Sequence, residues 1–308
     1  MVKIAVLASF NMDLVMRTDR RPNSGETLQG EFAMHLGGKG FNQAVSARRL
    51  GADVVVTGRV GDDEFGRMFL EALDREDIDQ RAVVVDPDAG TGVASIIVEA
   101  DGTNTIVQSP RANRNVTRAQ IEEYAEHLFA GASVAMLQLE TSMDGAEAFT
   151  RQASDRSVAV LLNPAPASVD GRALTKHAGS IVANEIEAQA LGCDAIHSSD
   201  DALQAARWLG GNTPAVAITL GAGGVAFCDR EEPLYVPSFA VEVVDTVGAG
   251  DAFCAAFAVR VAERAPIEEV LRFANAAGGL ACTKHGAYPS MPYRHEVEAL
   301  LAAQGGSR

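Results

Sequence analysis

The chain predicts an α/β protein in which a mostly parallel sheet is covered by helices, and three observations carry that prediction. Short β-branched runs alternate with alanine-rich stretches of helical length. Aromatic residues make up only 6% of the 308 residues while Ala, Val and Gly abound, which favours close packing of helices on a sheet. Hydrophobic residues at 47% and charged residues at 22% are the balance of an ordinary globular chain with a substantial core.

The elements follow in order. The opening Met-Val-Lys-Ile-Ala-Val-Leu-Ala-Ser reads as a first strand over residues 3–8, and Asn11 and Asp13 interrupt it too early for a signal peptide. Further strands are expected at 53–58, 82–85, 134–139, 158–162, 180–182, 215–219 and 225–228. Helices are expected at 42–50, 64–76, 118–129, 143–153, 185–191, 200–209, 251–263, 267–284 and 293–302. The small apolar run Ala252 to Ala258 marks the helix at 251–263 as a buried one. Two stretches, 25–36 and 92–108, read as strands without helices, and Asp101-Gly102 between 93–98 and 105–108 is a hairpin signal. They predict a small sheet projecting as a lid, from insertions at about 12–36 and 91–110, on a single domain spanning 1–308. The Gly-Gly-Ser tail after Gln304 reads as disordered.

A net charge of −15 argues against nucleic acid as a partner, since that needs a basic surface. The same acidity means that an anionic substrate needs a divalent cation and local dipoles to offset it. No apolar run reaches membrane-spanning length. Cys193, Cys228, Cys254 and Cys282 form no Cys-x-x-Cys pair and read as free thiols, consistent with a reducing cytoplasm.

The chemistry concentrates in Asp245-Thr246-Val247-Gly248-Ala249-Gly250-Asp251. Its Gly-Ala-Gly turn presents bare N–H groups at a helix start, where anions are stabilised. Asp251 beside them is placed to take a proton from an attacking hydroxyl. Such turns also serve only to join a strand to a helix, with Asp as its cap. A second glycine-rich run, Gly37-Gly38-Lys39-Gly40-Phe41-Asn42-Gln43-Ala44, is neither a Walker A loop nor a Gly-x-Gly-x-x-Gly turn. Its small residues let a ligand approach the backbone, and Lys39 and Asn42 offer donors. Asn11 and Asp13, read as the end of the first strand, suit vicinal diols or an Asx-turn, and Glu140 ends an apolar strand on the ligand-binding face.

These two glycine-rich runs resemble the signature segments of the ribokinase (PfkB-type) family of sugar kinases. Met136-Leu137-Gln138-Leu139-Glu140, Asn163-Pro164-Ala165-Pro166-Ala167, Asn184-Glu185-Ile186-Glu187-Ala188, Thr219-Leu220-Gly221-Ala222-Gly223-Gly224 and Gly286-Ala287-Tyr288-Pro289-Ser290 are similar to it as well, in order over nearly the whole chain. The resemblance implies a three-layer α/β/α fold and transfer of a phosphoryl group from ATP, as co-substrate, to a sugar hydroxyl, with D-ribose the first candidate. Asp251 would be the base, and the N–H groups of Gly248, Ala249 and Gly250 the anion hole. Asn11, Asp13, Gly38, Lys39, Asn42 and Glu140 would hold the sugar. Asn184, Thr219, Gly221, Gly224 and Asn275 would line the nucleotide site, and Glu187 would organise Mg²⁺ through water. Asp245, Val247, Ala281, Lys284, Gly286 and Ser290 match a monovalent-cation site for K⁺. A homodimer formed through the lid is a further implication.

Phe41 replaces a small residue of the first signature; with Gln108 and residues 109–111 it either borders the sugar or is a harmless repacking. Deoxyribose, a ketose, a keto-deoxy sugar acid or a nucleoside are alternative acceptors, and a catalytically silent sugar-binding protein is the rival of another class.

Overall fold

A computed structural model describes residues 1–211, 213–229 and 233–304. The predicted disordered tail lies outside the described residues.

In chain order the elements are β1 (Lys3–Leu7), β2 (Asn11–Arg17), β3 (Glu31–Gly37), α1 (Lys39–Arg49), β4 (Asp53–Gly61), α2 (Glu64–Arg75) and β5 (Asp79–Asp86). Next come β6 (Gly92–Val98), β7 (Asn104–Ser109), α3 (Arg118–Glu123), α4 (Ala125–Phe129), β8 (Ala132–Leu137), α5 (Met143–Asp155), β9 (Ala159–Leu162) and α6 (Arg172–Thr175). They continue with β10 (Ser180–Asn184), α7 (Glu185–Ala190), α8 (Ser199–Gly210), β11 (Ala215–Thr219), β12 (Val225–Cys228) and β13 (Pro233–Val236). The chain closes with α9 (Ala249–Ala262), α10 (Ile267–Ala281), α11 (Ala287–Ser290) and α12 (Arg294–Gln304).

A nine-stranded sheet runs in the order β13-β12-β11-β10-β9-β8-β1-β4-β5. It is parallel except for β12 and β13, which close one edge antiparallel. Successive residues of a strand face opposite sides, so β1 splits between two cores. Ile4 and Val6 pack with residues of α1, α9 and α10, whereas Ala5 and Leu7 pack with residues of α5 and α8. This is the three-layer α/β/α arrangement expected. Helix α9 is apolar all round, with Ala252 to Val259 buried, as a helix enclosed between sheet and helices must be.

A second, four-stranded sheet has the order β3-β2-β6-β7. It gathers the two helix-free stretches, and the hairpin at Asp101-Gly102 joins β6 to β7.

Several boundaries differ from expectation. Asn11 and Asp13 do not end the first strand; they begin β2, which pairs antiparallel with β3 and parallel with β6. The chain crosses between the sheets at residues 8–10, and Asn113 fills the gap. Its Oδ1 accepts from Phe10 N at 2.9 Å and its Nδ2 donates to Phe10 O at 2.9 Å, satisfying a backbone that no strand pairs. The single helix expected at 118–129 is broken at Tyr124 (φ −95°, ψ 4°) with no Gly or Pro to mark it. Strand β13 is unanticipated, and the segment 18–30 is not a strand. For Phe41 the structure favours repacking over a place beside the sugar. It is fully buried, 5.0 Å from the Phe69 ring and 5.4 Å from that of Tyr288, centroid to centroid.

Candidate active site

The site forms where the N-termini of α1 and α9 meet the C-terminal ends of the parallel strands, as open α/β sheets prescribe. Gly38, the residue before α1, has φ 98°, and a Cβ there would come within 2.5 Å of Ser9 O. Only glycine permits that entry, which sets Lys39 and Asn42 on the first turns of α1.

Asp251 lies in the first turn of α9 and is only 6% exposed. Asn42 Nδ2 donates to its Oδ2 at 2.9 Å and Gln43 Nε2 to its Oδ1 at 3.1 Å. Burial raises its pKa to about 6, against the pull of Lys39 and of the two amides. Glu140 Oε2 accepts from Ser9 Oγ at 2.7 Å, Lys39 N at 2.8 Å and Asn11 Nδ2 at 3.3 Å. Asp13 is held up at about 7, by burial first and then by the charges of Glu140 and Asp251. Burial alone would lower the pKa of Lys39; Asp251, Glu140 and Glu187 raise it instead. The residues expected on the sugar side are thus brought together: the charges of Asp13, Glu140 and Asp251 bear on one another, those of Glu140 and Asp251 also on the Lys39 ammonium, with amides interleaved.

Helix α9 starts from Gly248, whose φ of 84° is left-handed. Ala249 N donates to Thr246 O at 3.3 Å, while the N–H groups of Gly248 and Gly250 donate to nothing among the described residues. Two free donors at the head of a fourteen-residue helix, beside a carboxylate, suit a phosphoryl group.

A polar cavity continues from here. Lys39, Asp251, Gly248 and Gly250 line it with Asn184, Glu187 and Thr219, and so do Asn163, Thr246 and Cys254, which sequence reasoning did not select. Asn184 caps α7 in a reciprocal box: its Oδ1 accepts from Glu187 N at 2.8 Å, and Glu187 Oε2 accepts from Asn184 N at 2.9 Å. Burial raises the pKa of Glu187. Its Oε1 accepts no hydrogen bond among the described residues, so one carboxylate oxygen of this largely buried residue remains for a hydrated divalent cation.

Gly221, Gly224 and Asn275 do not line this cavity. Gly221 and Gly224 form the turn after β11, and Asn275 Nδ2 donates to Val236 O at 3.1 Å and Pro237 O at 3.2 Å. Of the positions matched to a monovalent cation, Asp245 joins two loops. It accepts from Val247 N at 3.0 Å and from Gly286 N at 2.9 Å. Ser290 Oγ donates to Ala287 O at 2.8 Å, Ala281 ends α10 in the core, and Lys284 pairs with Glu296 at 3.2 Å.

The fold and the site, with a buried carboxylate, free N–H donors at a helix head and a cluster of acceptors and donors, are those of a phosphotransferase with an alcohol acceptor. A model described as "pfkB family carbohydrate kinase" matches residues 1–294, and the chain belongs to that family. It is 38% identical to the ribokinase of Bacillus subtilis over 305 residues, covering 98% of this chain and 100% of that one. It is 33% identical to a deoxyribokinase of Salmonella typhi, over 97% and 98% of the two chains. The solved structure of Arabidopsis thaliana ribokinase complexed with ribose and ATP superimposes with a TM-score of 0.88 at 30% identity, covering 98% of this chain and 99% of that one. Among the described residues no helix is long and apolar enough to cross a membrane, and all four cysteines are free.

Proposed function

We propose that the chain transfers the terminal phosphoryl group of ATP to the primary hydroxyl of D-ribose, giving ribose 5-phosphate and ADP. One observation carries the assignment of roles: Asp251 is buried at the head of α9, oriented by Asn42 and Gln43, next to the free N–H groups of Gly248 and Gly250. Asp251 takes the hydroxyl proton as the oxygen attacks, and the N–H groups hold the charge on the transferred group. Asn11, Asp13, Lys39, Asn42 and Glu140 position the sugar hydroxyls, with the backbone at Gly38 close by. Positioning and electrostatics supply most of the rate in such a transfer. Asn184, Thr219 and the turn at Gly221 to Gly224 flank the nucleotide, with Asn275 behind it. Glu187 would hold Mg²⁺ through water, and that ion neutralises the phosphates when bound.

Three finer readings go with this. The loops joined by Asp245 frame a K⁺ site of mostly backbone carbonyls; equal activity in K⁺ and in a bulky organic cation would sink it. The small sheet acts as a lid and as a homodimer contact. Met16 pairs with Phe32 and Leu14 with Met34 across β2 and β3, and Met16, Phe32, Met34 and Val107 are exposed. Light scattering should then give a dimer that Phe32→Lys dissociates. Free thiols support a reducing compartment, the cytoplasm.

The test is a coupled ADP-release assay with MgATP and KCl across ribose, deoxyribose, ketoses, a keto-deoxy sugar acid and nucleosides, with Asp251→Asn alongside. Ribose-dependent turnover that the variant loses is expected. Turnover with another acceptor alone would move the substrate and keep the chemistry. Sugar binding without any turnover would leave a silent binding protein.

A further inference from the structure

Five buried side chains form one directed hydrogen-bond chain beneath the site. Gln138 Nε2 donates to Gln43 Oε1 at 2.6 Å. Gln43 Nε2 then donates twice, to Asp251 Oδ1 and to Asn163 Oδ1, each at 3.1 Å. Asn163 Nδ2 donates to Val182 O at 3.0 Å and to Glu187 Oε2 at 3.4 Å. Gln43 is wholly inaccessible, and Gln138 and Asn163 are nearly so.

The partners fix each amide's direction. Turning over the Gln43 amide would set its oxygen against the Asp251 carboxylate and the Asn163 oxygen, and its NH₂ against that of Gln138. Three buried polar contacts would be lost together, each costly without water to replace it. The two oxygens of Asp251 are therefore held by different means. Asn42 holds Oδ2, and its own Oδ1 is buried with no partner among the described residues. Gln43 holds Oδ1 from inside the core.

We infer that Gln43 is the positioning residue of the phosphoryl-transfer base, and that through Asn163 it makes Asp251 and Glu187 one hydrogen-bonded unit across the two halves of the cavity. The inference rests on Asp251 acting as the base. The other charged or titratable groups facing Asp251 are Lys39 from α1, Asp13 from β2, Glu140 beyond β8, Glu187 from α7 and Cys254 from α9.

The experiment is steady-state kinetics on Gln43→Met, close in shape but unable to donate. The expected result is a kcat lower by about 10- to 100-fold with both KM values within about threefold. The acid limb of kcat should also move to higher pH, because a donor favouring ionised Asp251 is gone. Gln138→Met touches neither carboxylate but removes the donor that orients Gln43, and should lower kcat a few-fold with a smaller displacement of the acid limb in the same direction. If Asp251→Asn keeps wild-type turnover, the base assignment itself fails. If Asp251→Asn is inactive while folded Gln43→Met keeps wild-type kcat and pH profile and loses only thermal stability, Gln43 is plain core and the inference is overturned. Should Gln43→Met not fold, an unchanged kcat and pH limb in Gln138→Met overturns it equally.

Discussion

The two halves of the site are built from different materials. The half proposed for the sugar is made of side chains. Asp13, Lys39, Asn42, Glu140 and Asp251 come from three elements and the segment after β8, and their charges interact. The half proposed for the nucleotide is made, Glu187 apart, largely of backbone and of side chains already spent on structure. Asn184 is committed to its capping box and Asn275 to the carbonyls of residues 236 and 237. One half stores charge and the other stores shape. Changes in the first should therefore appear in kcat and in pH dependence, and changes in the second in backbone strain and nucleotide handling.

The largest effect expected on the charged half is that of Asp251→Asn. It keeps the shape and removes the base, so kcat should fall by about 10²- to 10⁴-fold with the sugar KM little changed. A KM that rises as far as kcat falls would mean that Asp251 only binds. On the shaped half the counterpart is Gly248→Ala. A Cβ there would meet Met291 Cε at 2.6 Å, in a backbone with φ 84°. The expected outcome is a loss of about 1–2 kcal/mol in chemical denaturation together with a lower kcat, because the displaced N–H groups are those proposed to serve the anion. Full kcat in a destabilised variant would separate the turn from the chemistry.

The third prediction concerns stored charge. Asp13 has its pKa raised from 3.8 to about 7 in the folded chain, chiefly by burial. For an acid raised on folding, stability is greatest below the unfolded value and is lost as pH climbs through the folded one. Asp13→Asn removes that loss. Without substrate the variant should melt several degrees higher than the parent at pH 8, with the gain shrinking toward pH 4, while its sugar KM rises. On the scale of about 1.4 kcal/mol per unit the gain is at most about 4 kcal/mol. An unchanged Tm at pH 8 would mean the group is not held in an unfavourable ionised form. The same reasoning for Asp251 places an acid limb of kcat/KM near its value of about 6.

Which parts were legible in the sequence follows the same division. The parallel strands and the buried α9 declared themselves because their apolar runs are continuous. Asp251, Lys39 and Glu140 stood out as charges at the ends of such runs. What stayed hidden depends on contacts between segments remote in sequence. Asn11 and Asp13 seemed to end a strand because the crossing at residues 8–10 is closed by Asn113, a hundred residues on. Phe41 stood out as a departure inside the first signature, open to bordering a ligand or to repacking, and its position on α1 turns it toward Phe69 and Tyr288. Gln43 and Asn163 are ordinary residues in their own segments, and only the fold brings them to Asp251.

The smallest structural effect expected is that of Gly250→Ala, and it isolates the ligand. Unlike Gly248, Gly250 is followed by open space: a Cβ there would meet nothing within 4 Å. Alanine is also the better helix former, by about 1 kcal/mol in an interior position and less in a first turn. Thermal stability should therefore stay level or rise slightly. Any fall in activity then has one source, a phosphoryl group that must pass where the methyl now stands. A decrease of about tenfold or more in kcat or kcat/KM for ATP, with Tm unchanged, would put the transferred group over Gly250. Full activity would move it toward the N–H of Gly248 and leave Gly250 as a residue that the fold does not require to be glycine.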